Sequence, residues 1–321
     1  MELIYKKLIE EELAELEISL NNSINSEIEL ATEVSNYLVG SGGKRIRPAI
    51  CILVAKALGY SGNDLIKLAT SIELLHTATL IHDDVVDESQ IRRGKESIHA
   101  KWDTAHGVLV GDFVYSKAFQ LMAGFDDPKI IRTLADSTNR ISEGEVLQLT
   151  LKNQSILSEE DYFEVIDRKT AELFKVSAIT AGILCSCDDK ALESLARFSS
   201  SLGIAFQIQD DILDYYGDEN LIGKRLGKDF EEGKFTLPII VALKEINEEN
   251  QKKLLSLFQK GQQNDFPEIL SFLDKGNVLD NTQKIFNIYA DECKRELQNI
   301  PQNSYRNALE DIVSNLGSRL T

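Results

Sequence analysis

Two short stretches carry aspartates at one spacing, Asp83-Asp84-Val85-Val86-Asp87 and Asp210-Asp211-Ile212-Leu213-Asp214. On a helix of about 3.6 residues per turn, the first and last aspartate of each set lie roughly one turn apart on one face, with the middle one flanking them. Carboxylates so placed repel unless cations sit between them. Magnesium suits the arrangement, because it takes few protein carboxylates and fills its octahedron with waters and phosphate oxygens. For one cluster alone, an acidic solvated helix end is an equal reading. The second cluster repeats the spacing more than 120 positions later, after a similar apolar stretch, and tips the balance toward a metal-lined slot.

Cationic residues stand close to both clusters. Arg92-Arg93-Gly94 follows the first, and Gly223-Lys224, Gly227-Lys228-Asp229 and Gly233-Lys234-Phe235-Thr236-Leu237-Pro238 follow the second. Upstream, Gly42-Gly43-Lys44-Arg45-Ile46-Arg47-Pro48 sets three cations in a glycine-led turn at a helix start, where backbone N–H groups and an Arg fork favour phosphate. Six carboxylates bring about −6, three magnesium ions about +6 and a bound diphosphate about −3, so several such cations are needed for neutrality. His76 lies two turns before Asp83 on nearly the same face, which makes it a further anion contact or an ordinary packed histidine. Lys169-Thr170 precedes an apolar helical stretch. None of these segments is a Walker A loop or a GxGxxG turn, so nucleotide binding is not indicated.

The elements that must position these groups read as helices. Only five prolines occur, at 48, 128, 238, 267 and 301, leaving long tracts in which helices run unbroken. Leu65, Leu68, Ile72 and Leu75 follow the i, i+3, i+4, i+7 rule, as do Leu192, Leu195, Leu202 and Phe206, while strand-like alternation is scarce. Breaks fall at Gly40–Gly43, Gly59–Asp64 and Phe125–Pro128. The pattern predicts an all-α fold of about ten helices in one bundle-like domain. That domain spans 1–321, with the chemistry at 42–238 and peripheral helices from about 245 to 321. The two clusters hint at two similarly built halves around a central cavity.

Composition narrows the function classes. A net charge of −17, from 35 Lys+Arg against 52 Asp+Glu, has the wrong sign for nucleic-acid binding. Cys51, Cys185, Cys187 and Cys293 match neither CxxC nor a zinc pattern, as expected of reduced thiols in a cytoplasmic protein. The acidic amphipathic N-terminus is unlike a signal peptide, and no apolar run approaches the ~20 residues of a membrane span. Contact with a membrane surface is the most that is expected.

Taken together, GGKRIRP, HTATLIHDDVVDES with RRG, VLVGDFVYSKAF, ISEGEVLQL, RKTAELF, FQIQDDILDY and GKRLGKDFEEGKFTLP resemble the trans-isoprenyl diphosphate synthases, or polyprenyl synthetases. Within that family the chain is most similar to long-chain, octaprenyl-type enzymes. The resemblance implies an isoprenoid-synthase helical bundle and a head-to-tail condensation of isopentenyl diphosphate onto an allylic diphosphate, farnesyl diphosphate being the expected primer. It implies that Asp83, Asp87, Asp210 and Asp214 hold magnesium, with Asp84 and Asp211 assisting. Arg92, Lys169, Thr170, Gln207, Lys224 and Lys234 would touch the allylic diphosphate. Lys44, Arg47, His76 and Arg93 would hold isopentenyl diphosphate. One departure is Gly227-Lys228-Asp229, where an Asp-Asp pair is common in the family.

Short-chain relatives close the product tunnel with aromatic residues four or five positions before the first aspartate. Here those positions are Thr79 and Ala78, so a long tail could pass; Leu75, Phe119, Met122 and Leu134 are candidates for a deeper floor. The implied product is a quinone side-chain precursor, and the implied assembly is a homodimer that touches membrane only to release product. Competing readings are a shorter-chain synthase, a terpene cyclase, which would lack the Lys44/Arg47/His76 site, and a non-catalytic subunit, which would have lost a cluster. A calcium-binding protein is disfavoured because no EF-hand loop is present.

Overall fold

The structure, a computed structural model, describes residues 4–151, 157–219 and 225–317. Among these the fold is all-α, as the periodicity predicts; the only strands are β1 (Ile91–Arg92) and β2 (Lys95–Glu96). Helices α1 (Ile4–Leu8), α2 (Glu10–Ser23), α3 (Glu29–Val39), α4 (Ile46–Ala57) and α5 (Asp64–Val86) precede this hairpin. After it come α6 (Ile98–Lys101), α7 (Thr104–Met122), α8 (Pro128–Leu151), α9 (Glu159–Ile166), a π-turn (Asp167–Ala171), α10 (Glu172–Leu184) and α11 (Asp189–Tyr216). The chain ends with α12 (Lys228–Glu231), α13 (Leu237–Glu245), α14 (Glu248–Lys260), α15 (Phe266–Lys275), α16 (Val278–Leu297) and α17 (Ser304–Gly317). All three glycine- or proline-marked breaks fall between helices. Helices outnumber the expectation because short ones such as α6 and α12 occupy connections.

The chain folds into two compact units that are discontinuous in sequence. The first comprises Met1–Thr138, Val176–Ala196 and Asn299–Leu309, and the second comprises Asn139–Lys175, Arg197–Gln298 and Glu310–Thr321. Each unit holds one aspartate cluster.

In the first unit α5 is the central element, packed on α2, α4 and most extensively on α7. Leu65, Leu68, Ile72 and Leu75 are buried on it, as their spacing requires. A Cβ at Gly111 of α7 would stand 2.1 Å from His82 Nε2, and one at Gly107 2.5 Å from Val85, so glycine lets the two helices approach. These pairs run in opposite order along the chain, which makes α7 antiparallel to α5. At about 1.5 Å of rise per residue, Val114 then lies level with Ala78 and Ala118 level with Leu75.

In the second unit α13 packs on α16 and α9. The π-turn is gripped from two helices. Added Cβ atoms would approach Arg168 Cβ to 2.7 Å from Gly144 of α8, and Ala171 Cα to 2.5 Å from Gly203 of α11. Arg140 (2.5 Å) and Ser200 (3.3 Å) hold the turn's first residue, Asp167. A π-turn widens a helix by one residue and is common where side chains must be re-aimed. Here it carries Lys169 and Thr170.

Candidate active site

In the first unit, Asp83 and Asp84 lie in the last turn of α5 and Asp87 is its C-cap, with no basic residue in that turn. The C-terminal end of a helix carries partial negative charge, so three carboxylates there are unfavourable until a cation arrives. The three are not equivalent. Asp84 is only 2% exposed, and Arg92 donates to its Oδ1 from Nε (2.8 Å) and Nη2 (2.5 Å). Burial raises its pKa, with Arg92 opposing. Asp83 and Asp87 are half-buried.

Arg92 and Arg93 are placed by the hairpin. Arg92 pairs with Lys95, and Arg93 (φ 52°) and Gly94 (φ 74°) form the two-residue turn between them, which needs positive φ at both positions. Arg93 Nη1 donates to the Gly42 carbonyl, tying the hairpin to the glycine-led turn before α4. That turn is also held by Arg45, which sequence reasoning left without a role. Arg45 is buried and donates to Glu17 (2.7 Å), Glu73 (2.6 Å) and the Val39 carbonyl (2.8 Å). Tyr5 donates to the Lys44 carbonyl at 3.0 Å.

Arg47 Nη1 donates to His76 Nε2 at 3.1 Å, so that nitrogen is the unprotonated one. Burial, then Arg47, Arg93, Arg92 and Arg45, hold the His76 pKa well below 6.5. Burial also lowers the Arg93 pKa; Glu73 opposes this and Arg45 and Arg92 reinforce it. The group is thus a crowded cationic nest with a neutral imidazole at its centre, suited to an anion. A stability effect follows. Because the folded pKa of His76 is lowered, the unfolded chain takes up the proton first, and the contribution present above pH 6.5 is lost as pH falls below it. His76→Asn is expected to flatten the fall in urea-unfolding stability between pH 7.5 and 5.5; an unchanged fall would show that His76 does not titrate this way.

In the second unit, Asp210, Asp211 and Asp214 lie near the C-terminal end of α11, again with no basic residue in the last turn. Asp211 and Asp214 are each 1% exposed, whereas Asp210 is half-buried. Tyr162 donates to Asp211 Oδ2 at 2.6 Å and Gln207 Nε2 to Oδ1 at 2.8 Å. Burial pushes the Asp211 carboxyl up to about 7 against these donors, with Asp210 adding to the rise. Thr170 donates to Gln207 Oε1 at 2.9 Å, which fixes the orientation of that amide. Asp214 Oδ2 accepts from the Asp229 N–H at 2.9 Å, so Gly227-Lys228-Asp229 wraps the end of the cluster by its backbone.

The lysines of this unit have acidic partners, Lys169 with Glu145 (2.7 Å) and Lys234 with Glu232 (2.7 Å), which also holds Lys228 (3.1 Å). Lys224 lies outside the described residues. Sequence reading missed Arg45, Tyr162, Glu145 and Glu232. Arg45 stands inside the glycine-led turn and Glu232 beside Gly233-Lys234, yet what each holds shows only in the folded contacts, while Tyr162 and Glu145 are tied to Asp211 and Lys169 across 49 and 24 positions. Ala78, Leu75, Met122 and Leu134 are buried, while Thr79 is half-buried and donates to the His76 carbonyl at 2.9 Å.

A family model for the polyprenyl synthetases matches residues 28–273. The chain belongs to that family. It is 39% identical over 304 residues to the octaprenyl diphosphate synthase of Escherichia coli (strain K12), covering 94% of each chain. It is 37% identical over 306 residues to an all-trans-nonaprenyl-diphosphate synthase (geranyl-diphosphate specific) of Rhodobacter capsulatus, covering 95% of this chain and 94% of that one. A polyprenyl synthase from Caulobacter crescentus CB15, solved with calcium and isoprenyl diphosphate, superposes with a TM-score of 0.93 at 36% identity, covering 99% of this chain and 98% of that chain. This polyprenyl synthetase is therefore a prenyltransferase that elongates trans-prenyl chains. Its donor set fits the family's magnesium. Both clusters offer only hard carboxylate oxygens, and no group of three or more His, Cys, Asp or Glu side chains converges as a preformed cage among the described residues. Magnesium usually keeps waters and takes substrate oxygens for the remainder of its shell.

Proposed function

We propose that this polyprenyl synthetase condenses isopentenyl diphosphate head-to-tail onto an allylic diphosphate, farnesyl diphosphate serving as primer, to make an all-trans product of octaprenyl length that becomes a quinone side chain. The observation that carries the reading is the cationic nest of Arg47, Arg93, Arg92 and Arg45 around neutral His76 in the first unit, in a chain that keeps both aspartate clusters. A cyclase needs no second diphosphate site, and a non-catalytic subunit needs no paired clusters. The names of the E. coli and R. capsulatus relatives support a long product.

In this reading Asp83, Asp87, Asp210 and Asp214 hold about three magnesium ions, with Asp84 and Asp211 behind them. When bound, the metal offsets charge on the leaving diphosphate. Arg92, Lys169, Thr170, Gln207, Lys224 and Lys234 take its oxygens, the lysines exchanging Glu145 and Glu232 for phosphate. Lys44, Arg47, His76 and Arg93 fix isopentenyl diphosphate so that its double bond meets the allylic carbon. His76 already accepts from Arg47, so the proton lost from the isopentenyl carbon beside the newly formed cation, as the new double bond forms, passes to the released diphosphate.

The whole of 1–321 acts as one synthase domain in the cytoplasm, the helices beyond about 245 being peripheral to chemistry. Among the described residues no helix is long and apolar enough to cross a membrane, so contact for product release is at the surface. Exposed Val86, Ile91, Val108 and Leu109 of the first unit support a homodimer.

Purified protein with magnesium, farnesyl diphosphate and labelled isopentenyl diphosphate is expected to yield long all-trans products, and chelation to abolish them. No incorporation would end the catalytic reading. A ladder stopping at about 20 carbons, roughly one helical turn of tunnel per unit, would replace only the chain length.

A further inference from the structure

Asp211 is held from both sides by side chains of its own unit. Both of its carboxylate oxygens receive side-chain donors, Tyr162 on Oδ2 at 2.6 Å and Gln207 on Oδ1 at 2.8 Å, and it is 1% exposed. A buried carboxylate is stable only while such donors hold it. The chain of bonds continues beyond it. Gln207 spends its amide nitrogen on Asp211 and its oxygen on the Thr170 hydroxyl, so three side chains on three elements, α9, α11 and the π-turn, are locked through one carboxylate. Tyr162 is the outer end of that chain, and it carries no role in the sequence reading or in the condensation.

We propose that Tyr162 is a positioning residue of the prenyl-transfer site: its hydroxyl fixes Asp211 as an internal anchor, and Asp211 in turn sets Gln207 and Thr170 toward the allylic diphosphate. The proposal rests on the diphosphate roles given above to Gln207 and Thr170. Asp211 then acts on the cluster from behind rather than as a ligand of equal standing with Asp210. The chemistry supports this division, because each Asp211 oxygen already commits one of its two lone-pair sites to a side-chain donor and the carboxylate is almost fully buried, whereas Asp210 is half-buried. Loss of the hydroxyl leaves Oδ2 with one strong donor fewer and frees Asp211 to turn, and with it the amide of Gln207. The Tyr162 ring has a separate structural task, since it packs edge-on against Phe163 at 5.3 Å between centroids, and phenylalanine would keep that contact.

The test is a double-mutant cycle of Tyr162→Phe, Asp211→Asn and the pair, assayed for kcat and for KM toward each substrate, with thermal unfolding followed alongside. Tyr162→Phe is expected to lower kcat by roughly 30-fold and weaken the allylic substrate, with KM for isopentenyl diphosphate within about twofold of wild type. The double variant is expected to match Asp211→Asn alone, because Tyr162 acts only through Asp211. It contains no buried charge to leave unpaired, so this comparison stands even where Tyr162→Phe alone does not fold. Wild-type kinetics for Tyr162→Phe, equal losses toward both substrates, or additive losses in the pair would each overturn the positioning role. An inactive wild-type protein would instead bring down the condensation reading itself.

Discussion

Asp83→Asn should lower kcat by about 10²–10³-fold while leaving the metal-free protein as stable as wild type, or slightly more so. The two halves of this expectation have one cause. Asp83 lies with Asp84 in the last turn of α5, next to the C-cap Asp87, and that turn has no basic residue. An anion at a helix C-terminus opposes the dipole, typically by about 0.3–1 kcal/mol, and like charges a turn apart add a few tenths more. Arg92 donates twice to Asp84 and its charge also acts on Asp83 and Asp87, which offsets part of this repulsion. A neutral side chain at 83 therefore relieves repulsion in the folded protein and removes a hard oxygen donor from the site. A residue retained for stability would behave in the opposite way. Incorporation of labelled isopentenyl diphosphate and urea unfolding in chelator, run on the same preparation, give both readings. Turnover within tenfold of wild type, or a stability loss parallel to the activity loss, would contradict the role assigned to this cluster.

What could be read from sequence divides along physical lines. The aspartate clusters and arginine pairs were legible because their chemistry lies in residue type at short spacing, which a helix or a two-residue hairpin turn converts directly into geometry. The all-α fold was legible for the same reason: the stripe Leu65, Leu68, Ile72, Leu75 is local, and its burial follows from helical period alone. Less legible was which carboxylates are already occupied. Asp84 and Asp211 look like their neighbours in sequence, and the donors that hold them include Arg92 and Tyr162, 8 and 49 positions away. The π-turn at Asp167–Ala171 was not legible, since its cause is the approach allowed by Gly144 and Gly203 from other helices. Nor were the two compact units, whose boundaries fall inside α8, α10, α11 and α17, with one alone between helices, at Gln298 and Asn299.

Product length offers the other large effect, and the α5–α7 packing says where to look for it. Ala78 precedes Asp83 by five residues, about 7.5 Å along the helix axis, and Thr79 by four, about 6 Å. Thr79 shares the face of Asp83 to within about 40°, whereas Ala78 points well away from it, is fully buried, and lies level with Val114 of the antiparallel α7. If the tail leaves the cluster along α5, as proposed, it meets Thr79 first and then Ala78 where α5 faces α7. Both are small, and so are Val114 and Ala118 on the facing helix. Phenylalanine at either position is expected to cut products of long-chain length at least about tenfold and shift the ladder toward roughly 10–20 carbons, since a floor so close to the diphosphate leaves room for only a turn or two of tail. Overpacking a buried site costs typically about 1–3 kcal/mol, so Ala78→Phe should also melt somewhat earlier than Thr79→Phe, whose position is half-buried. Chromatography of the dephosphorylated products separates the two effects, because a merely destabilised enzyme makes less of the same ladder. If both folded variants make the wild-type distribution, the tail does not pass this turn of α5, and the path must be sought along another helix.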